Sequence, residues 1–234
     1  MIFRRDRGWQ DEREVLIALG PRTIAGTLGV PDRARGAVLF AHGSGTSRWN
    51  PRNRAVARVL ADAGFGTLLL DLLTSDEERA DAVTGELSLD VFMLARRLVA
   101  ATDWLASNPA TAHLPVGYFG ASTGAAAALI AAVERADIVR AVVSRGGRPD
   151  LAGPSLALVR APTLLIVGGA DVPVIALNRR ALAQMRAGVE ARLDTVPEAT
   201  HLFEEPGALD AVARLAREWF TRHLPRAGAG RRAG

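Results

Sequence analysis

The chain of 234 residues contains no cysteine, and all 29 of its basic residues are arginine, so lysine is absent too. Without cysteine, disulfides, thiolate metal sites, iron–sulfur clusters and cysteine nucleophiles are excluded. Without lysine, P-loop nucleotide hydrolases, Schiff-base enzymes and Ser-Lys dyads are excluded, because each needs the lysine side chain. Arginine stays ionised, so no side-chain amine can act as a general base.

Charge and hydropathy give no sign of a nucleic acid or membrane partner. The net charge is only +4, and the arginines are scattered among 25 acidic residues, which does not resemble a basic binding patch. No apolar run reaches the length of about 18 residues that a spanning helix needs, and the basic start is not followed by the apolar segment of a signal peptide. We therefore expect a cytoplasmic protein that binds neither nucleic acid nor membranes.

Buried-strand patterns alternate with helical patterns from residue 36 onward. A predicted hairpin comes first, and the predicted strands are 14–19, 23–30, 36–41, 66–72, 116–120, 139–144, 163–167 and 192–196. The predicted helices are 52–64, 88–106, 122–134, 174–187 and 207–222. This alternation predicts one α/β domain over residues 1–223, with a mostly parallel sheet covered by helices on both faces. Residues 224–234 are predicted to form a flexible tail.

One acidic and polar segment, residues 73–87, lacks an apolar periodicity. It is predicted to be a solvated loop or, alternatively, part of a lid. It is too short to form a separate cap domain, so a shallow pocket for a small substrate is expected.

The sequence Gly120-Ala-Ser-Thr-Gly124 fits the pattern G-x-S-x-G at a predicted strand-to-helix turn. A nucleophile elbow needs this context, because small residues allow a strained turn that exposes the serine hydroxyl. The pattern predicts that Ser122 is a nucleophile. The alternative is a glycine-rich turn that only lets the helix pack on the sheet.

A nucleophilic serine needs a base, and the chain has four histidines. Functional residues of parallel sheets lie beyond the carboxyl ends of the strands, and His113 precedes its strand, whereas His223 lies near the end of the chain. His42 is at the correct edge but beside backbone that is needed elsewhere. His201 follows the last predicted strand, so it is the predicted base.

The base in turn needs a carboxylate that fixes its tautomer. Asp171 follows the strand 163–167 through Gly168-Gly-Ala, which lets the loop bend towards the site. Asp150 is the main competitor. The chain order Ser122, Asp171, His201 is the order of the α/β-hydrolases.

A tetrahedral intermediate needs two aimed N–H donors. Thr123, directly after the nucleophile, is expected to supply one donor. The loop His42-Gly-Ser-Gly, called the oxyanion loop below, is expected to supply the other. We assign the second donor to the amide of Ser44, with Gly43 as the alternative. This loop could instead be a plain turn or a weak dinucleotide loop, although Arg48 stands where that motif needs its third glycine.

Four motifs together resemble those of the α/β-hydrolase superfamily over roughly residues 12–223: His42-Gly-Ser-Gly, Gly120-Ala-Ser-Thr-Gly124, Gly168-Gly-Ala-Asp171 and Thr200-His201-Leu-Phe. The compact size and the stretch Ser144-Arg-Gly-Gly-Arg-Pro are similar to the dienelactone hydrolase family, including a branch found fused to a phosphoribosyltransferase-like domain. Dienelactone hydrolases proper use cysteine as nucleophile, and here Ser122 stands in its place.

This resemblance implies an α/β-hydrolase fold without a large cap domain. It also implies a serine hydrolase of small carboxylic esters or lactones that works through an acyl-enzyme and needs neither cofactor nor metal. The alternatives are an acyltransferase or thioesterase on the same triad, or a non-catalytic accessory module. A monomer or homodimer is expected.

Two arginines, Arg145 and Arg148, follow a strand at the catalytic edge and could hold a substrate carboxylate. An internal ion pair with Asp150 or Glu205 is the alternative. Arg48 and Asn53, after the oxyanion loop, are expected to be structural.

Overall fold

The computed structural model describes residues 12–224. Most of the predicted tail, residues 225–234, therefore lies outside the described residues. The strands are β1 Arg13–Leu19, β2 Arg22–Gly29, β3 Ala37–Ala41, β4 Gly66–Leu70, β5 Val116–Ala121, β6 Val139–Arg145, β7 Thr163–Gly168 and β8 Ala191–Val196. The helices are α1 Pro51–Asp62, α2 Ser75–Thr84, α3 Val91–Ser107, α4 Thr123–Glu134, α5 Val172–Gln184 and α6 Ala208–His223. Two 3₁₀ segments cover Leu87–Leu89 and Pro149–Leu158.

All eight strands of residues 12–224 form one sheet in the order β1-β2-β4-β3-β5-β6-β7-β8. The first three in this order pair antiparallel, and every pair from β4 to β8 is parallel. The predicted mostly parallel α/β sheet is confirmed. Its parallel part brings the carboxyl ends of six strands to one edge.

The sheet is covered on both faces because its central strands are apolar on both sides. Every residue of β3, β4, β5 and β7 is buried. Helices α3, α4 and α5 contribute to the core on one face, and α1 and α6 to the core on the other. None of the helices described between residues 12 and 224 is both long and apolar enough to span a membrane.

Helix α4 lies very close to the sheet because its first two turns consist of small residues. A Cβ atom on Gly124 would lie 2.3 Å from the carbonyl oxygen of Ala41 and 2.5 Å from that of His42. The helix therefore starts directly against the end of β3. This contact brings the loop after β3 next to the turn between β5 and α4.

The prediction of a loop over residues 73–87 is wrong, because residues 75–84 form helix α2. Its start is a capping box: the Thr74 hydroxyl accepts from the Glu77 amide at 3.3 Å, and the Glu77 carboxylate accepts from the Thr74 amide at 2.9 Å. Gly85 ends the helix in the left-handed conformation. The capping box was the readable signal, whereas a polar surface helix has no apolar periodicity to show.

We predict that Gly124→Ala destabilises the fold by about 1–3 kcal/mol, because the added methyl group must displace backbone carbonyls. Gly29→Ala is the matched control, since its Cβ would meet its nearest neighbours at an ordinary 3.6 Å. Thermal and urea unfolding followed by circular dichroism measure both variants. Equal stability of the two would contradict the tight contact of α4 with β3.

Candidate active site

Three candidate catalytic residues lie beyond the carboxyl ends of neighbouring parallel strands. Ser122 follows β5, Asp171 comes three residues after β7, and His201 comes five residues after β8. Because β5, β6, β7 and β8 are consecutive in the sheet, all three side chains belong to one edge.

Ser122 occupies a strained turn between β5 and α4. Its φ of 52° and ψ of −125° are conformations that residues other than glycine rarely adopt. The surrounding backbone holds it there: its amide donates to the Arg145 carbonyl at 3.4 Å, and its carbonyl accepts from the Arg148 amide at 3.0 Å. The elbow geometry keeps the half-buried serine at the tip of the turn.

The loop after β3 packs directly against this serine. A Cβ on Gly43 would lie 2.7 Å from the Cβ of Ser122, so only glycine fits at that position. Ser44 follows it, and Thr123 is the first residue of α4 on the other side of the nucleophile. No loop or turn hydrogen bond within residues 12–224 uses the amides of Ser44 or Thr123. Thr123 thus directly follows Ser122, and Ser44 directly follows the glycine that packs against it.

His201 and Asp171 form a hydrogen-bonded pair, with 2.8 Å between His201 Nδ1 and Asp171 Oδ2. The aspartate side chain is 13% exposed and the histidine side chain 42%. A carboxylate at Nδ1 holds the tautomer that leaves Nε2 free to accept a proton. This is the arrangement that a general base requires.

The loop that carries His201 crosses over the end of β7. A Cβ on Gly168 would lie 2.3 Å from the Ala199 carbonyl oxygen and 2.5 Å from that of Thr200. The loop continues to the end of β6, where a Cβ on Gly146 would lie 3.6 Å from His201 Cε1. His201 thereby reaches the strand next to β5, which precedes Ser122.

Among the described residues, no hydrogen bond joins the Ser122 hydroxyl to His201. Such bonds are often long in the absence of substrate and tighten in the reacting complex. The structure therefore places Ser122, Asp171 and His201 at one edge of the sheet, with the hydrogen bond between His201 and Asp171 formed.

His42 has a structural role that removes it as a competing base. Its Nε2 accepts from the Leu72 amide at 3.0 Å, and its Nδ1 donates to the Gly43 carbonyl at 2.9 Å. Burial lowers the pKa of His42 and favours this neutral form. The ring thus ties the oxyanion loop to the chain just after β4.

Asp150, the competing carboxylate, is occupied by Arg148 through two-pronged hydrogen bonds of 2.8–3.2 Å. Arg145 is 6% exposed. It donates to Asn53 Oδ1 at 3.1 Å and lies over the ring of Phe203 at 5.9 Å. Burial lowers the pKa of Arg145 to about 10. The alternative of an internal ion pair thus holds for Arg148, which pairs with Asp150, whereas Arg145 pairs with neither Asp150 nor Glu205. Binding of a substrate carboxylate by either arginine stays a prediction.

Arg48, which follows the oxyanion loop, is bound to the Asp71 carboxylate and, at 2.6 Å, to that of Glu14. Its contacts are therefore structural. Within residues 12–224 no group of three or more histidines and carboxylates is arranged to hold a metal ion.

A cavity of about 450 Å³ lies between the oxyanion loop and α2. The oxyanion loop lines one wall, and α2 with the segment after it lines another, through residues that include Glu78, Asp81 and Ser88. Leu73 and Leu94 form its apolar part. Glu78 and Asp81 were missed in the sequence because they belong to the segment 73–87, which was predicted as a loop.

The model of the dienelactone hydrolase family matches residues 24–224. The chain belongs to this family. A solved dienelactone hydrolase from Anabaena variabilis is 59% identical with a TM-score of 0.89, covering 92% of this chain and 98% of that one. Est1E from Butyrivibrio proteoclasticus, 15% identical with a TM-score of 0.75 over 90% of this chain and 98% of that one, shares the fold.

Two curated relatives come from Mycobacterium tuberculosis, strains CDC 1551 and H37Rv, and are provisionally named phosphoribosyl transferases. Each is 59% identical over 213 residues, which cover 91% of this chain and 47% of the relative. The chain thus spans about half the length of these curated relatives. The predicted membership of the dienelactone hydrolase family is confirmed by the family match.

Glu77, in the first turn of the helix over the cavity, is bound by two arginines, Arg97 and Arg22. Burial opposes ionisation of Glu77, but hydrogen bonds from Arg97 at 2.8 Å and from the Thr74 amide outweigh it and lower the pKa of Glu77 to about 2. A carboxyl group with a lowered pKa stabilises the fold above its unfolded pKa and loses this effect as the pH falls.

We predict that Glu77→Gln speeds hydrogen exchange of the α2 amides about 10-fold near neutral pH, because Arg97 loses its charged partner. The stability difference from the parent should shrink as the pH falls from about 4.5 to about 2. Hydrogen exchange and unfolding between pH 7 and pH 2 measure both effects. Glu218→Gln, at an exposed position of α6, is the control. A stability difference that grows in acid would contradict this role of Glu77.

Proposed function

We propose that the protein hydrolyses small carboxylic esters or lactones through an acyl-enzyme on Ser122. One observation carries the proposal: the His201–Asp171 pair lies at the same sheet edge as Ser122, a serine in a strained strand-to-helix turn. Membership of the dienelactone hydrolase family supports it, as does the 59% identical solved relative that is named a dienelactone hydrolase.

In the acylation step, the base, the nucleophile, the carboxylate and the two amides each have one role. His201 Nε2 takes the Ser122 proton while Oγ attacks the substrate carbonyl carbon, and Asp171 stabilises the imidazolium. The carbonyl oxygen becomes an oxyanion that accepts hydrogen bonds from the amides of Ser44 and Thr123. The intermediate collapses when His201 gives its proton to the leaving oxygen.

Deacylation repeats the sequence with water. His201 removes a proton from water, the hydroxide attacks the acyl carbonyl, and Ser122 leaves as its oxygen regains the proton. The 42% exposure of the His201 side chain gives water access to the base, which favours hydrolysis over transfer to another acceptor. Transfer to an alcohol or cleavage of a thioester would use the same residues.

The size of the site supports a small substrate. The cavity beside the oxyanion loop measures about 450 Å³, at the lower end of the range for small-molecule sites. The name phosphoribosyl transferase describes proteins about twice as long, and this proposal concerns only the half that the chain matches.

Ser122→Ala is predicted to reduce hydrolysis of p-nitrophenyl acetate by at least about 10³-fold, because no acyl-enzyme can form. Ser107→Ala, on an exposed serine at the end of α3, is the matched control and should keep the parent rate. Circular dichroism checks that both variants fold. A Ser122→Ala protein as active as the parent would refute the assignment of the nucleophile.

His201→Ala and Asp171→Asn are each predicted to lower kcat by about 10³-fold or more, with the smaller loss for Asp171→Asn. The double variant should lose little more than His201→Ala alone, because the two residues act as a unit. Steady-state kinetics of the three variants and of Asp150→Asn measure this. Independent, multiplicative losses, or a larger loss in Asp150→Asn than in Asp171→Asn, would point to Asp150.

A further inference from the structure

The cavity beneath α2 and the candidate base lie on opposite sides of the nucleophile. Ser122 follows β5; the cavity is lined by residues that follow β3 and β4, on one side of β5. Asp171 and His201 follow β7 and β8, on the other side. The order of the strands therefore places the cavity and His201 on opposite sides of Ser122.

This separation determines which half of a substrate enters the cavity. In the proposed reaction, the leaving oxygen must receive its proton from His201, so the alcohol part lies on the histidine side. The oxyanion takes the position between the amides of Ser44 and Thr123. The remaining substituent of the tetrahedral carbon is the acyl chain, which is directed away from His201 and towards the cavity.

The wall of the cavity is acidic. Glu78 and Asp81 line it, and no arginine is among the lining residues that the structure describes. Asp81 Oδ1 accepts from the amides of Leu87 at 2.7 Å and Ser88 at 3.1 Å. Glu78, by contrast, has no hydrogen bond or ion pair within residues 12–224. Its carboxylate has hydrogen-bonding capacity left for a ligand.

The other polar side chains of the wall are His42, whose two ring nitrogens are both hydrogen-bonded within the fold, and hydroxyls with acceptor capacity. Ser44 Oγ and Ser88 Oγ are 2.6 Å apart, and the Thr46 hydroxyl donates to the Gly43 carbonyl at 2.9 Å. The nearby cation Arg48 is held by Asp71 and Glu14. A ligand in this cavity thus meets negative charge and acceptors, with a partly apolar floor.

We propose that this cavity is the acyl pocket and that it selects neutral or cationic acyl chains over acyl chains that carry a carboxylate. The inference rests on the proposed ester hydrolysis. It assigns Glu78 as the specificity-determining residue, because its carboxylate repels an acyl carboxylate across a partly desolvated space.

Three p-nitrophenyl esters with the same leaving group and chain length test the proposal: the hexanoate, the adipate half-ester and the 6-(trimethylammonio)hexanoate. We expect kcat/KM for the adipate half-ester to be at least about 10-fold below that of the hexanoate, and the cationic ester to equal or exceed the hexanoate. The disadvantage of the half-ester should shrink as salt rises, because screening weakens the repulsion.

Two pairs of variants locate the effect. Glu78→Gln should reduce the disadvantage of the half-ester about 10-fold, whereas Glu86→Gln, on an exposed glutamate outside the cavity wall, should not change it. Ala82→Arg places a cation on the lining of α2 and should favour the half-ester, whereas Val83→Arg, at a neighbouring position that is 87% exposed, should not.

The outcomes separate the two proposals. Hydrolysis of none of the three esters by the parent protein would overturn the proposed function and this inference with it. Hydrolysis of all three with an equal or higher kcat/KM for the half-ester would overturn the acyl-pocket inference alone. An unchanged preference in both Glu78→Gln and Ala82→Arg, with both variants folded, would also overturn it.

Discussion

The candidate site depends on three glycines whose neighbours leave no room for a Cβ atom. Gly43 lies against Ser122, Gly124 against the carbonyls at the end of β3, and Gly168 against the carbonyls of the loop that carries His201. Each contact brings a loop directly onto the carboxyl ends of the parallel strands. Because the loops stack without intervening side chains, residues from four separate strand ends reach one small site.

The same edge concentrates backbone strain. Ser122, Glu198 and Phe203 have positive φ values of 52°, 60° and 56°, and each such conformation costs of order 1–3 kcal/mol. The rest of the fold must offset this cost. The fully buried central strands and the small-residue face of α4 supply the apolar burial that holds the strained turns in place.

The catalytic candidates could be predicted because their signals are local. A G-x-S-x-G pattern at a strand end identifies Ser122, and the positions of Asp171 and His201 after later strands follow from the alternation of elements. The helix α2 could not be recognised by periodicity, since its polar residues face solvent and the cavity, and only the Thr74–Glu77 capping box indicated it. The burial of Arg145 against Asn53 and Phe203 depends on contacts between distant segments, which spacing along the chain does not reveal.

Covalent labelling with a fluorophosphonate, followed by mass spectrometry of the intact chain and of its peptides, tests the central claim most directly. An activated serine beside a histidine base gives its proton to the histidine, attacks the phosphorus, displaces fluoride and retains the phosphonyl group. The account predicts one adduct per chain, located on Ser122, and at least about 10³-fold slower labelling in His201→Ala. An unlabelled parent protein, or an adduct on another residue, would contradict it.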